Sequence, residues 1–192
     1  MSRAYESEYD GDGPPPELYA RNYEHHLRSS VGKRMLRELE AALLAVPEKR
    51  LILGALCRQG EVCAVGAYIV AKRVSRGEPR ESVLRELDAH SRKFASYNPD
   101  DPYAEGDYEA AEDTVVEGKR VGLSKFLGWH ISQFQDDDCA TATPEERYER
   151  VLAEVRRLIA ESETPIPDWA MSKKDRLAAS NLALLSDRSP RL

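Results

Sequence analysis

The stretch "HISQFQDDDCATATPEERYERVLAEVRRLI" (residues 130–159) joins the end of one amphipathic pattern to the start of another. Thr143-Pro144 with Glu146 is typical of a helix start, because threonine caps the helix, proline suits its first turn and glutamate completes a capping box. The apolar side chains that follow recur at helical spacing, which predicts an amphipathic helix. They are Tyr148, Val151, Leu152, Val155, Leu158 and Ile159.

The same period predicts helices through most of the upstream chain. Residues 98–107 are predicted to form an acidic surface loop, helical potential begins again at Tyr108, and Gly118 interrupts it before the last upstream segment. Small residues, among them Gly66, Ala67 and Ala71, leave one side of the segment 62–76 smooth, so another helix can approach closely there. The apolar run 51–57 is compatible with either an extended segment or a short helix. We therefore predict a mainly α fold, a single compact helical domain of five to seven helices, with room for one short hairpin at 51–66. The segments predicted to be helical upstream of the opening stretch lie at about 17–27, 32–46, 62–76, 79–94 and 121–135.

The chain divides into three parts. With 192 residues it is long enough for one well-packed domain and short for two. Residues 1–16 are acidic and end in three prolines, which predicts a flexible arm. Residues 17–160 carry the helical core domain. Residues 161–192 begin with a proline-containing linker and contain a predicted C-terminal helix from Lys173 to Leu185.

Composition favours the cytoplasm as the location, and the resemblance described below implies that of a bacterial host cell. The N-terminus has neither the basic start nor the apolar run of a secretory signal. The longest apolar stretch, 62–71, is about half the length that a membrane-spanning helix needs, so we expect no membrane partner. Cys57, Cys63 and Cys139 are few and odd in number, which suits reduced thiols better than a disulfide framework.

The charges are unevenly distributed along the chain. Residues 21–96 carry fifteen basic and nine acidic side chains, whereas residues 97–138 carry three basic and eleven acidic ones. One interpretation is that these two blocks neutralise each other across the fold. The alternative is that the basic block binds nucleic acid through its phosphates. The candidate contacts in that case are Lys33, Arg34, Arg37, Lys49, Arg50, Lys72 and Arg73.

Known catalytic signatures are missing from the sequence. Gly118-Lys119-Arg120 lacks the serine or threonine and the upstream glycine of a phosphate-binding loop. There is no nucleophile elbow and no paired-histidine zinc motif. Cys57 and Cys63 are too far apart for a zinc knuckle, and no second pair completes four ligands. We therefore expect no cofactor and no metal, and a non-enzymatic protein is the preferred interpretation.

One polar cluster keeps a second alternative open. His130 lies on an apolar stripe, and Asp137 follows it by seven residues, so both would face one pocket if the helix continued for two turns. A metal-dependent enzyme would use His130, Asp136 and Asp137, with Asp138 beside them. The simpler interpretation is a hydrogen-bonded core histidine followed by a polar corner. Aspartates at a helix C-terminus oppose the helix dipole and need compensation. The candidates are a metal ion, the amides of the turn before Thr143, or basic residues such as Lys33, Arg34, Lys49 and Arg50.

The order of four segments resembles a family of small uncharacterised proteins from tailed phages and from actinobacterial genomes or prophages. In that family the third segment typically ends in an asparagine-aspartate-glutamate corner, where this chain has Gln135-Asp136-Asp137. The resemblance covers roughly residues 17–160 and implies a phage or prophage origin, but no activity. The matching segments are "GKRMLRELEAALLAVPEKRLILGAL" (32–56), "GEVCAVGAYIVAKRV" (60–74), "GLSKFLGWHISQFQDDD" (122–138) and "TPEERYERVLAEVRRLI" (143–159).

The sequence thus predicts a cytoplasmic interaction protein, encoded by a phage or prophage, that binds a protein partner of host or phage. Nucleic-acid binding through residues 21–96 and a metal-dependent enzyme at His130 are the alternatives. No pattern in the sequence fixes an oligomeric state.

Overall fold

The computed structural model describes residues 16–94 and 114–164, and it confirms the mainly α fold class. One short antiparallel hairpin pairs Cys57 with Val62 and Arg58 with Glu61, as the prediction for 51–66 allowed. The elements in chain order are α1 (Pro16–Arg28), α2 (Ser30–Leu44), β1 (Cys57–Arg58), β2 (Glu61–Val62), α3 (Ala64–Ser75), α4 (Arg80–Phe94), α5 (114–120), α6 (Lys125–Gln133), a π-helix (Phe134–Asp138) and α7 (Pro144–Glu163).

Helix α2 is the centre of the packing. It contacts α7 on one side and α3 on another, while α1 lies against both α2 and α7. Helix α4 and helix α6 each pack on α3. The apolar stripes predicted for α2 and α7 meet in this core, because their side chains lose their contact with water there. Completely buried members include Leu36, Leu39, Leu43, Val151, Val155 and Leu158.

Side-chain caps fix where several helices begin. Ser29 Oγ accepts a hydrogen bond from the Gly32 amide at 3.0 Å, so α2 starts two residues before the predicted Gly32. The capping box of α7 is present as predicted: Thr143 accepts from the Glu146 amide, and Glu146 accepts from the Thr143 amide. Cys63 caps α3 in the same way through its sulfur, which accepts from the Gly66 amide at 3.2 Å.

Gly66 marks the closest approach of another segment to α3. A Cβ atom there would lie 2.0 Å from the carbonyl oxygen of Leu56, well inside contact distance. The small residue is therefore required by the loop that leads into the hairpin. The sequence suggested that a neighbouring helix would approach this side of α3, but it is an irregular segment that does so.

The boundaries predicted for the helix at 121–135 are wrong at both ends. Helix α5 runs through Gly118 and ends at residue 120; the break is at Val121–Ser124, where Gly122 has a φ of +98° and Ser124 caps α6. Glycine adopts this left-handed conformation without steric cost, so Gly122 and not Gly118 separates the helices. At the other end α6 stops at Gln133 and continues as the π-helix.

Several predictions fall outside the described residues. They are the acidic arm up to residue 15, the acidic loop at 98–107, the helix start at Tyr108 and the C-terminal helix Lys173–Leu185. Within residues 16–94 and 114–164, no helix combines the length and the apolar character needed to cross a membrane.

Candidate functional site

His130 forms a charged cluster with α7, not with the aspartates that follow it. Its Nε2 atom lies 2.7 Å from Oε1 of Glu154, and the Tyr23 ring lies against the imidazole with 5.5 Å between the ring centres. Arg157 donates to both Glu154 oxygens, at 2.7 and 2.8 Å. His130 and Glu154 are largely buried, whereas Arg157 reaches water. Both acceptor atoms of the carboxylate are therefore engaged inside the fold.

The charge state of Glu154 follows from these contacts. Burial alone would raise the pKa of Glu154, but hydrogen bonds and charge from Arg157 and His130 outweigh it and lower the pKa to about 2. The carboxylate is thus ionised at neutral pH and can only accept hydrogen bonds. It follows that Nε2 of His130 carries the proton in this contact.

The π-helix removes the predicted alignment of His130 with Asp137. A π-helix closes hydrogen bonds over five residues instead of four, so each residue advances by a smaller angle than in an α-helix. Asp137 and Asp138 consequently lie on the exposed side, and Asp136 is only partly buried. Among the residues in 16–94 and 114–164, no group of three histidine, cysteine, aspartate or glutamate side chains could hold a metal ion.

The same change of register turns Gln135 into the core. Its Oε1 accepts from the Ala64 amide and its Nε2 donates to the Ile52 carbonyl, both at 2.8 Å. One side chain thus connects the start of α3 to the loop before the hairpin. The amide is buried and uses both of its ends, which is the arrangement expected of a structural group.

Arg147 holds the polar corner from the other side. Its guanidinium is buried and donates to the carbonyl oxygens of Leu51, Ala142 and Cys139, at 2.6, 2.7 and 3.4 Å. The planar guanidinium holds its N–H donors in fixed and different directions, so one side chain can bind three carbonyl oxygens. Its positive charge also acts on Asp136, so Arg147 supplies part of the compensation predicted for the aspartates.

Asp136 has the most perturbed carboxyl group of the corner. Burial raises its pKa to about 6, although hydrogen bonds from the Gln135 side chain and the Gly54 amide oppose the increase. The adjacent Asp137 charge raises it further. This titration occurs in the packed corner that Gln135, Gly54 and Arg147 form around the carboxyl group.

The three cysteines are unsuited to nucleophilic chemistry in this fold. Cys57, Cys63 and Cys139 are all buried and free. Burial raises the pKa of each thiol, and it takes that of Cys63 to about 12. The reactive thiolate is accordingly almost absent at neutral pH, as expected of structural cysteines.

The seven candidate nucleic-acid contacts are engaged within the protein. Lys33 and Arg37 pair with Glu163, whereas Arg34 and Lys72 pair with Glu38. The partners lie within the basic block or on α7, and residues 114–138, the described part of the acidic block, supply none of them. The other contacts are Arg50 to Glu61 and Glu145, Arg73 to Glu78 and Glu86, and Lys49 to the Leu44 carbonyl.

An apolar groove lies between the C-terminal end of α2, the length of α3 and the first turn of α4. It encloses about 290 Å³ and is open along one side. Val74 is 40% exposed at this groove, although it is a large apolar residue. Small side chains form most of the walls, which leaves room for apolar groups from outside. The lining residues are Ala42, Ala45, Val46, Val62, Ala67, Val70, Ala71, Val74, Ser75 and Arg80.

The residues that hold the polar corner and the His130 cluster were not predicted from the sequence. Arg147 and Glu154 lie in register with the apolar stripe of α7, at four residues before Val151 and three after it. Polar residues in an apolar stripe are a signal for buried hydrogen bonds, and this signal was available. The groove had a weaker signal, since Ala67 and Ala71 were recognised only as a smooth surface for close packing.

Comparisons with known proteins add no relative to these observations. No protein-family model matches the chain, no curated protein is similar to it, and no solved structure matches its fold.

Proposed function

We propose that the protein is a non-enzymatic interaction protein, encoded by a phage or prophage, that binds a protein partner in the cytoplasm of the bacterial host. The observation that carries the proposal is the apolar groove between α2, α3 and α4. An amphipathic helix commonly binds by placing its apolar face in such a groove. At about 290 Å³ the groove suits a few aliphatic side chains of a partner helix.

The lining of the groove specifies the chemistry of the partner. Alanine and valine favour aliphatic side chains such as leucine over polar ones, because their burial removes apolar surface from water. Arg80 lies at the α4 end of the groove and forms no ion pair with any residue that the structure describes. An acidic side chain beside the apolar face of the partner would pair with it. The partner is therefore an amphipathic helix with aliphatic residues and an adjacent carboxylate.

The two alternative functions receive less support from the geometry. The imidazole of His130 faces Glu154 and the Tyr23 ring, and the thiols of the cysteines are buried. The candidate nucleic-acid contacts already have acceptors in the protein, so phosphate binding would compete with these contacts. Binding of a protein at the groove requires no such exchange. The phage or prophage origin rests on the family resemblance of the four sequence segments.

Photo-crosslinking from the groove tests this function. A photoreactive amino acid replaces Val74 in the full chain, and Val31, which has the same type and the same 40% exposure on another surface, is the matched control position. We expect one host or phage protein to be linked from position 74 and not from position 31. The substitution Ala71→Glu, which places a charge in the groove, should abolish that link.

Three results would contradict the proposal. They are the same proteins linked from both positions, no protein linked from position 74, and a link that persists in Ala71→Glu. Thermal unfolding of the Ala71→Glu variant shows whether a lost link reflects a lost fold.

A further inference from the structure

We infer that residues 173–185 of the same chain occupy the apolar groove and compete there with the partner. This inference rests on the groove that the proposed function uses, and it adds a regulation of that site. Three features support it: the position at which the described chain ends, the length of the residues that follow, and their side-chain chemistry.

The described chain ends beside the helix that leads to the groove. Glu163 pairs with Lys33 and Arg37 on α2, at 3.4 and 2.8 Å. Thr164 accepts hydrogen bonds from Arg28 through its carbonyl and hydroxyl oxygens, both at 3.3 Å. These contacts direct the continuing chain to the N-terminal half of α2, whose C-terminal end lines the groove.

The linker is long enough to cover the remaining distance. Arg37 and Ala45 are about 12 Å apart along the helix axis, since each residue of an α-helix rises about 1.5 Å. Residues 165–172 span up to about 26 Å when extended, at about 3.3 Å per residue. The extended length of this linker therefore exceeds the axial distance to the groove and leaves further length for the path around α2.

The side chains of residues 173–185 match the chemistry expected of the partner. Leu177 and Leu184 are seven residues apart and would share one face of a helix, with Leu185 next to them. Asp187 follows within one turn and provides a carboxylate for Arg80. Leucines with a nearby carboxylate are the combination inferred above from the groove itself.

Attachment to the same chain makes this segment an effective competitor. A tethered ligand has a high effective concentration at its own site, on the order of millimolar for a short flexible linker. Docking with an intrinsic Kd below about 1 mM would then keep the groove mostly occupied until a partner with higher affinity displaces the segment. The groove would thereby be covered in the absence of its partner.

Disulfide trapping in the full chain tests the inference without any partner. The paired substitutions Val74→Cys and Leu184→Cys should form a disulfide within one chain under mild oxidation. The pair Val31→Cys and Leu184→Cys is the control, and the native cysteines are buried and do not interfere. A monomeric cross-link with Val74 alone supports the inference. Equal cross-linking of both pairs, links only between chains, or none with Val74 would overturn it.

Alkylation of Val74→Cys provides a second measurement. We expect the double substitution Leu177→Asp and Leu184→Asp to increase the alkylation rate about tenfold, because it releases the segment from the groove. An unchanged rate would contradict the inference. Failure of the proposed function remains distinguishable, since trapping and alkylation report on the groove even if no external partner exists.

Discussion

Glu154 shows how a single charged residue can stabilise an apolar helix face. Its carboxylate is 8% exposed and accepts hydrogen bonds from His130 and Arg157. Without these donors the charge would be buried without compensation, which is costly. The cluster therefore connects α6 to α7 and leaves the imidazole little freedom for chemistry.

We predict that Glu154→Gln lowers the free energy of unfolding by about 1 to 2 kcal/mol at pH 7, because a charged hydrogen-bond acceptor is lost. The matched control is Glu161→Gln on the same helix; Glu161 also pairs with Arg157 but is 43% exposed, so we expect a change of at most about 0.5 kcal/mol. Urea unfolding measures both variants. Equal effects would mean that the buried cluster contributes no more than a surface ion pair.

The lowered pKa of Glu154 gives the same prediction a pH dependence. A carboxyl group whose pKa is depressed in the folded state stabilises above its ordinary pKa of 4.5, and this contribution is lost as the pH falls towards about 2. The difference between the wild-type protein and Glu154→Gln should accordingly shrink below pH 4.5.

The contribution of Asp136 to stability depends on pH in the opposite direction. Its pKa is raised from 3.8 to about 6, so the folded state holds the proton more tightly than the unfolded chain does. The stability that the protonated carboxyl group gives the fold is fully present below pH 3.8 and is lost as the pH rises through about 6. We predict that Asp136→Asn is more stable than the wild-type protein by about 1 to 3 kcal/mol at pH 7.5 and has equal stability near pH 3.5.

Urea unfolding at pH 3.5, 5.5 and 7.5 checks the prediction for Asp136. Asp138→Asn removes an exposed carboxylate from the same π-helix and serves as the control. Its effect should stay within a few tenths of a kcal/mol. A loss of stability in Asp136→Asn at pH 7.5 would show that the charged form is favoured in the fold.

At the scale of elements, periodicity and capping residues predicted most helices, and the failure at the π-helix has a non-local cause. Thr143-Pro144 and the stripe of α7 are local signals, and a helix start depends on little else. The π-helix at Phe134–Asp138 depends on the amide and carbonyl that Gln135 reaches across the core. Such distant contacts leave no period in the sequence, which is why the alignment of His130 with Asp137 was predicted wrongly.

The contact between α3 and the preceding loop can be tested at Gly66. We predict that Gly66→Ala lowers the free energy of unfolding by about 3 kcal/mol or more, because its Cβ would lie 2.0 Å from the Leu56 carbonyl oxygen. Gly128→Ala in α6 is the control, since its Cβ would meet its nearest neighbour, a Leu123 methyl carbon, at 3.4 Å.

Alanine is favoured over glycine inside a helix by about 0.5 to 1 kcal/mol, so Gly128→Ala should be neutral or slightly stabilising. Thermal or urea unfolding of the two variants gives the comparison. Equal stability of the two variants would show that the loop does not constrain α3 as described.

At the scale of the whole molecule, the charged and polar groups described above are used mainly for internal contacts, whereas the described parts of α2, α3 and α4 form an apolar groove. The ion pairs of α2 and α3 lie on their outer faces, and the groove lies between these helices and α4. The basic and acidic composition of the chain suggested opposed blocks; within residues 16–94 and 114–164, the seven candidate contacts pair within the basic block and with α7. Composition alone contains no information about which carboxylates the fold brings near.

The most direct test of binding at the groove is a measurement of affinity. The partner that crosslinking identifies is purified, and titration calorimetry measures its binding to three full-length proteins. These are the wild-type chain, Val74→Lys and Val31→Lys, in which the same substitution is made at two positions of equal exposure. The account predicts that Val74→Lys binds at least about tenfold more weakly, a loss of about 1.4 kcal/mol, and that Val31→Lys binds like the wild type. Equal affinities for all three proteins would contradict binding at the groove.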